Sequence, residues 1–167
     1  GNVVFADSIN GCITGFDSLN VQDGNGTINS IFYTKEVDGS IILNRRPDWS
    51  KQAPNKLQLL GGKFEEVDST RKHSAKREVL EELGLNKSIG EFLFLCTSDN
   101  GGWITFAFIL LLDEMYDETQ IPDHKEFEEL VVVPADQVNK FIVDGEIAFD
   151  HPVILQKFLE LIASSSV

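Results

Sequence analysis

Three glutamates in one short segment carry the clearest chemical signal of this sequence. Glu78, Glu81 and Glu82 follow a pair of glycines, Gly61 and Gly62. Each residue of an α-helix turns by about 100°, so Glu81 and Glu82 lie roughly 60° behind and 40° ahead of Glu78, and the three carboxylates share one sector. Like charges at this spacing repel one another, and a divalent cation relieves the repulsion. The spacing therefore predicts a metal site.

A solvated acidic helix is the alternative interpretation of the same residues. Glu and Arg often cover an exposed helix face, and Gly84 has the position of a C-terminal helix cap. This interpretation leaves the paired glycines unexplained, so the sequence favours the metal site.

Strands must deliver the glycines to this helix, and alternating or continuous hydrophobic runs predict where they lie. The predicted strands span residues 30–35, 41–45, 57–60, 92–97, 103–112 and 131–133. Asp38 and Gly39 predict a tight hairpin turn between the first two strands. The strand at 57–60 ends directly before Gly61, so we expect the glycines to form a turn that leads from this strand towards the acidic helix.

Capping residues and prolines predict the helices. Ser69 or Thr70 is the expected N-cap of the acidic helix. Pro134 predicts the start of a short helix, and Pro152 predicts the start of an amphipathic C-terminal helix that ends near Ala163.

Strands on both sides of one central helix, with a further helix at the end, predict an α/β fold in which helices cover both faces of a mixed sheet. The chain has 167 residues and 42% hydrophobic content, enough for one domain with a core. We divide it into an N-terminal extension, residues 1–27, and a single domain, residues 28–167. The extension either pairs as an extra hairpin or stays partly mobile.

The net charge of the chain limits the classes of ligand that it can bind. A formal net charge of −13 disfavours binding of a nucleic-acid polymer, whose phosphates would be repelled over most of the surface. A small phosphorylated substrate stays compatible, because a few cations and a bound metal can reverse the sign inside one cleft. Arg45 and Arg46 are candidates for substrate contact, although paired arginines at a strand end are as often plain solvated surface.

Cysteine usage and hydropathy predict a cytoplasmic protein with no membrane association. Cys12 and Cys96 lie too far apart in sequence for a disulfide framework or a zinc motif to be suggested. No apolar run approaches the roughly 20 residues that a spanning helix needs. A basic stretch followed by an apolar one, typical of a signal peptide, is absent from the start of the given sequence.

The segment from Gly61 to Leu85 resembles the signature of the Nudix hydrolases. That signature reads G-x5-E-x7-R-E-U-x-E-E-x-G-U, where U is aliphatic. Its second half matches at every fixed place: Arg77, Glu78, Val79, Glu81, Glu82, Gly84 and Leu85. Its first half departs, because Asp68 stands where the family has glutamate and eight residues separate Asp68 from Arg77. Either one residue is inserted before the helix, or Gly62 and the loop are displaced by one.

The resemblance implies the Nudix α/β/α sandwich over roughly residues 28 to 163, and hydrolysis of a diphosphate linkage with Mg²⁺, or alternatively Mn²⁺. By position it implies that Glu78, Glu81 and Glu82 hold metal and act in catalysis, and that the carbonyl of Gly61 completes the metal shell.

Two further site residues follow from the resemblance. Arg77 is implied to pair with an acidic residue of the preceding loop, and the departure in spacing leaves Asp68, Glu65 and Glu66 as alternatives. Glu126 is the expected later-loop base or metal ligand, although a charged loop is as often only solvated.

Two interpretations concern the substrate. Phe64 follows the glycines and is expected to border the cleft and stack on a base, the alternative being a core position. The segment from Ala148 to His151 is similar to one found before the last helix of some Nudix hydrolases that act on ADP-ribose, although Asp150 could be just an N-cap.

The implied function is cleavage of ADP-ribose or a nucleotide sugar, with a small nucleotide as the partner and a homodimer left open. A nucleoside triphosphate pyrophosphatase of the sanitising type is one alternative. A Nudix-fold module that senses a nucleotide without cleaving it is the other.

Overall fold

The structure of the protein is a computed structural model that describes residues 2–5, 26–65, 67–100, 103–113, 129–164 and 167. The strands are β1 Asn2–Phe5, β2 Gly26–Tyr33, β3 Ser40–Arg45, β4 Leu57–Gln58, β5 Leu60–Lys63, β6 Phe92–Asn100, β7 Trp103–Leu111 and β8 Glu129–Pro134. The helices are α1 Arg71–Leu83, α2 Val138–Val143 and α3 His151–Ala163, with 3₁₀ turns at Ile89–Glu91 and Ala135–Gln137.

The strands form one mixed sheet, as the sequence predicts. Its main path runs β1-β6-β7-β2-β3-β4, while β5 pairs with β2 and β8 pairs with β3. The pairing of β2 with β7 is parallel, and the other strand pairings are antiparallel.

Helices cover both faces of this sheet. On β2, Ile28 and Phe32 belong to the core that contains Val79 of α1, whereas Tyr33 belongs to the core that contains Phe158 of α3. The rings of Tyr33 and Phe158 meet edge to face with centroids 5.0 Å apart. Because successive residues of a strand point to opposite faces, β2 supplies both cores at once. The α/β/α sandwich expected from the sequence is confirmed.

The caps of α1 follow the expected chemistry. The hydroxyl of Thr70, and not that of Ser69, accepts the backbone N–H of His73. At the other end Gly84 has a left-handed φ of 71°, and its N–H bonds to the carbonyl of Leu80. These two caps fix the helix that carries the three glutamates.

The strand expected at 57–60 is interrupted at Leu59. β4 pairs with β3, and Leu57 also bridges to Ile147, whereas β5 pairs with β2. The chain changes partner at Leu59, which breaks the strand. The glycines therefore lie inside β5, and the expectation that they form a turn is wrong.

The structure describes only part of the predicted N-terminal extension. Residues 2–5 pair with β6 as part of the sheet, and β2 already begins at Gly26. The other residues of the predicted extension up to residue 25 lie outside the described part of the chain. In that described part, no helix is both long and apolar enough to cross a membrane.

Replacement of Gly84 by Ala should lower the free energy of unfolding by about 1 kcal/mol, because a Cβ is disfavoured at left-handed φ. Denaturant titration monitored by circular dichroism measures the change. The matched control is Gly90→Ala, where a Cβ meets open space. Equal stability of the Gly84→Ala variant and the unsubstituted protein would contradict the capping role.

Candidate active site

A paired arginine and aspartate connect α1 to the loop before it. Arg77 donates from Nε to Oδ1 of Asp68 and from Nη2 to Oδ2, both at 2.9 Å. Asp68 is buried, and it also accepts the backbone N–H of Glu65 at 3.0 Å. The Glu65 carboxylate lies 3.5 Å from Arg77 and is largely exposed, while Glu66 lies outside the described residues. Among the described candidates, Asp68 makes the close contact.

This pairing shifts both ionisations towards the charged forms. Burial alone would raise the pKa of Asp68, but hydrogen bonds from Arg77 and from the Glu65 backbone outweigh it, so the pKa lies below its ordinary value. The hydrogen bond to Asp68 raises the pKa of Arg77 above its ordinary value.

Arg77 also reaches two of the glutamates. Its Nη1 lies 3.0 Å from Oε1 of Glu78 and 3.2 Å from Oε2 of Glu81. The sequence analysis had implied a partner for Arg77 only in the preceding loop. A long side chain bridges neighbouring sectors, so one guanidinium offsets part of the negative charge of the cluster.

The paired glycines let the helix and two strands come close together. A Cβ on Gly61 would lie 1.8 Å from the carbonyl oxygen of Ile28, and a Cβ on Gly62 would lie 2.4 Å from Oε1 of Glu78. Gly61 borders a small depression together with Glu78 and Glu82. The glycines thus leave the room that the Glu78 carboxylate occupies.

Glu78 and Glu82 form a carboxylate pair in this depression. Burial raises the pKa of Glu78 above its ordinary value, against the attraction of Arg77 and a hydrogen bond with Glu82. Glu81 instead has a half-exposed side chain that accepts from Arg77. The structure thus brings two of the three predicted carboxylates together beside Gly61, and the third lies outward.

The donor set fits a magnesium-type ion. Within the described ranges, no three or more His, Cys, Asp or Glu side chains are grouped to hold a metal by themselves. Mg²⁺ typically takes only one or two protein carboxylates and completes its shell with waters and substrate phosphates. The carboxylates of Glu78 and Glu82 with the carbonyl of Gly61 match that chemistry.

A cavity of about 640 Å³ adjoins this depression. Thr27 and Asn29 border it, whereas Ile28 borders the depression, so the two spaces lie on opposite faces of β2. Gly61 borders both spaces, and Lys63 borders the cavity. Gly61 therefore lies between the cavity and the carboxylates of the depression.

Arg46 lines this cavity and is held there by neighbours. It donates from Nη1 to Oε1 of Gln58 and from Nε to the carbonyl of Gln52, each at 3.0 Å, and its guanidinium lies 4.8 Å from the ring centroid of Phe149. Arg45 instead pairs with Glu129 at 2.7 Å. Of the two arginines, only Arg46 borders the cavity.

Phe64 does not line the cavity. Its ring is 8% exposed and packs in the core on the α1 side, with the guanidinium of Arg71 at 4.0 Å. The expectation that it stacks on a base is therefore corrected to the core alternative. Phe149 borders the cavity instead, half-exposed and at a left-handed φ of 56°. The sequence analysis singled out the segment from Ala148 to His151 but not Phe149 itself. A left-handed backbone at a non-glycine residue has no signature in the sequence.

His151 and Asp150 also border the cavity. Nδ1 of the buried His151 accepts the backbone N–H of Leu59 at 3.0 Å, and burial lowers the pKa of His151 to about 4. Asp150 has the N-cap position of α3, but its carboxylate accepts the hydroxyl of Ser98 and makes no capping bond. Glu126 lies outside the described residues, so its role stays a prediction.

Known proteins resemble this chain over most of its length. The family model of the NUDIX domain matches residues 28–158. The CTP pyrophosphohydrolase of Escherichia coli (strain K12) is 30% identical over 90 residues, which are 54% of this chain and 65% of that relative. This chain thus spans slightly less than two thirds of the length of that relative.

Solved structures share the fold. The ORF135 protein of E. coli aligns with a TM-score of 0.58 and 23% identity, over 83% of this chain and 91% of that one. A bifunctional NMN adenylyltransferase/ADP ribose pyrophosphatase from Francisella tularensis aligns with a TM-score of 0.59 and 19% identity, over 82% of this chain and 41% of that one.

Asp68→Asn should lower the free energy of unfolding at pH 7 by about 2 kcal/mol, because Arg77 loses a charged, bidentate partner. The contribution of Asp68 is present above the ordinary pKa of 3.8 and is lost as pH falls through the lower folded value. Acid titration of stability should therefore be less steep in the variant.

The matched control is Glu65→Gln, which alters an exposed carboxylate 3.5 Å from the same arginine. It should change stability by less than about 0.5 kcal/mol. Equal losses of unfolding free energy in the two variants would show that Asp68 is not the main partner of Arg77.

Proposed function

The chain belongs to the Nudix hydrolase family, and on that premise we propose that it hydrolyses the diphosphate bond of a nucleoside diphosphate derivative in a metal-dependent reaction. ADP-ribose or a nucleotide sugar is the favoured substrate. The observation that carries the proposal is the Glu78–Glu82 carboxylate pair beside Gly61, at the edge of a cavity of about 640 Å³.

In this proposal Glu78, Glu82 and the carbonyl of Gly61 hold Mg²⁺ or Mn²⁺, and Glu81 joins them from its place beside Arg77. When bound, the metal neutralises phosphate oxygens and activates the attacking water. Arg77 keeps the carboxylates oriented, because Asp68 holds the other edge of its guanidinium. Lys63, at the cavity side of Gly61, supplies positive charge for the diphosphate.

The cavity is suited to the nucleotide part of the substrate. Its volume lies within the range of about 300–1,000 Å³ that is usual for small-molecule sites. Phe149 offers an aromatic ring for stacking on a base, and Arg46 offers a cation that Gln58 holds in place.

A substrate whose nucleoside lies in the cavity and whose diphosphate lies at Gly61 suits this arrangement. Among the described residues, Gly61 alone lines both the cavity and the depression beside Glu78 and Glu82, and the depression has no room for a substrate group of its own. In ADP-ribose the diphosphate is attached directly to such a nucleoside. One fold relative is a bifunctional NMN adenylyltransferase/ADP ribose pyrophosphatase, which is in keeping with this choice.

A nucleoside triphosphate pyrophosphatase of the sanitising type is the second candidate. It is favoured by the 30% identity to a CTP pyrophosphohydrolase. A nucleotide sensor that does not cleave is the third candidate, since Asp68 replaces the family's glutamate; the retained Glu78 and Glu82 argue against it.

A nucleotide panel tests the substrate. Purified protein with millimolar-range Mg²⁺ should release AMP and ribose 5-phosphate from ADP-ribose, as water adds across the P–O–P linkage. The kcat/KM for ADP-ribose should exceed that for CTP and the other common or oxidised triphosphates, measured by chromatography of the products. Faster release of pyrophosphate from a triphosphate would reverse the ranking, and binding without cleavage under Mg²⁺ or Mn²⁺ would favour the sensor.

Glu82→Gln tests the metal site. Loss of one of the carboxylates that hold the metal should lower turnover by at least about 100-fold and leave the circular dichroism spectrum unchanged. Mg²⁺ should raise the thermal midpoint of the unsubstituted protein more than that of the variant, because a ligand stabilises the state that binds it.

The matched control is Glu36→Gln, an equal charge change at an exposed turn far in sequence from the site. Its turnover and its response to Mg²⁺ should equal those of the unsubstituted protein. Turnover of Glu82→Gln within a few-fold of that control would remove Glu82 from the metal site.

A further inference from the structure

The segment before α3 is bonded to the strand that leads to Gly61. The N–H of Leu57 donates to the carbonyl of Glu146 at 2.9 Å, and the N–H of Ala148 donates to the carbonyl of Leu57 at 2.8 Å. These bonds form a short parallel ladder. If the two segments continued side by side, the next bond would run from the N–H of Leu59 to a backbone carbonyl of the segment before α3.

The chain leaves this ladder before it can supply that carbonyl. Phe149 turns the backbone at a left-handed φ of 56°, and α3 begins at His151. Nδ1 of His151 accepts the N–H of Leu59 in place of the missing carbonyl. An imidazole nitrogen that accepts a hydrogen bond carries no proton, so the proton of the neutral ring is on Nε2.

Nε2 of His151 is left as an uncommitted donor. Among the residues that the structure describes, it has no hydrogen-bond partner, and it is not among the fully enclosed unpaired polar atoms. The residue borders the cavity of about 640 Å³. Because this donor can be reached from the cavity, a ligand acceptor at this place can take its hydrogen bond in place of water.

The surroundings of His151 suit an uncharged part of a ligand. Asp150 follows Phe149 in the lining of the same cavity, and its negative charge repels phosphate. Phe149 lies 5.6 Å from the imidazole ring, centroid to centroid, and suits a flat ring. The low pKa of His151 keeps the imidazole neutral at pH 7, so it offers a directional donor without a positive charge.

We infer that His151 is a specificity-determining residue whose Nε2–H donates a hydrogen bond to a ring nitrogen or carbonyl oxygen of the substrate's nucleobase. The inference rests on the proposed function for the orientation of the substrate, with its phosphates at Gly61. His151 would then favour ligands that present a hydrogen-bond acceptor to Nε2. Because Nε2 carries the proton and Nδ1 is bonded to Leu59, His151 would not act as a general base.

Two variants separate the two nitrogens of the ring. In His151→Asn the amide oxygen can replace Nδ1 and keep the bond from Leu59, but the donor at the Nε2 position is lost. In His151→Gln the amide nitrogen can approach the Nε2 position, while the acceptor for Leu59 is displaced. His73→Asn is the matched control, because His73 does not line the cavity and bonds to Ser69 and Thr70.

Binding of AMP, CMP, GMP and UMP is measured by calorimetry without metal. His151→Asn should bind the tightest of the four about tenfold more weakly than the unsubstituted protein, with an unchanged thermal midpoint. His151→Gln should recover part of the affinity at a lower thermal midpoint, and His73→Asn should bind as the unsubstituted protein does. Equal affinity of His151→Asn, or no binding of any of the four, would overturn the inference.

Nitrogen-15 spectra of histidine-labelled protein give a test that needs no variant to fold. Nδ1 of His151 should show the shift of an unprotonated nitrogen, and the Nε2–H signal should move when the tightest nucleotide is added. A proton on Nδ1, or an unmoved Nε2–H signal, would overturn the inference.

Hydrolysis in the same preparations separates this inference from the proposed function. Cleavage of ADP-ribose with unchanged nucleotide affinity in His151→Asn would sink the inference and leave the proposed function. Weaker binding in His151→Asn without hydrolysis of any substrate would support the inference and sink the proposed function.

Discussion

The contact between β5 and β2 at Gly61 is the constraint on which the site depends. Any side chain at this residue would overlap the carbonyl of Ile28, since even a Cβ would come within 1.8 Å of it. The backbone of β5 can therefore lie against β2 only with glycine here, at a φ of 154° that side chains rarely adopt. The same close approach puts Gly61 between the depression with Glu78 and Glu82 and the larger cavity. A bulkier residue would move β5 away and separate the two spaces.

Charge in the acidic helix is organised by one arginine. Asp68 takes up Nε and Nη2 of Arg77, which leaves Nη1 towards Glu78 and Glu81. The carboxylates of Asp68, which is buried, and of Glu78, which is partly buried, differ in their ionisation. The pKa of Asp68 is lowered because Arg77 and a backbone N–H bond to its charged form, whereas burial raises the pKa of Glu78. Asp68 thus stays charged and holds the helix through Arg77. A bound cation would stabilise the charged form of Glu78, which burial disfavours.

The sequence predicted what local chemistry determines. Periodicity and turn residues located the main strands and helices, and the capping rules placed the ends of α1. It failed where tertiary contacts decide. The strand breaks at Leu59 because β4 and β5 pair with different strands, and Phe64 lies in the core although it follows the glycines closely.

The contact of Asp68 with Arg77 was left open among three candidates, because the length of a loop does not reveal which of its carboxylates turns inward. Phe149 was missed as a cavity residue, since its left-handed backbone depends on the ladder that it leaves.

The bond between His151 and Leu59 has a consequence for the geometry of the whole site. Leu59 is separated from Gly61 only by Leu60, so the wall of the cavity and the backbone beside the carboxylate pair are parts of one hydrogen-bonded unit. If the cavity wall moved relative to the carboxylate pair, either the bond between His151 and Leu59 or the pairing of β5 with β2 would break. In the proposed function this fixes the separation between the group that recognises the nucleobase and the carbonyl that faces the metal. A rigid separation favours ligands in which base and diphosphate are joined by one ribose, because binding energy at one end then positions the bond to be cleaved at the other.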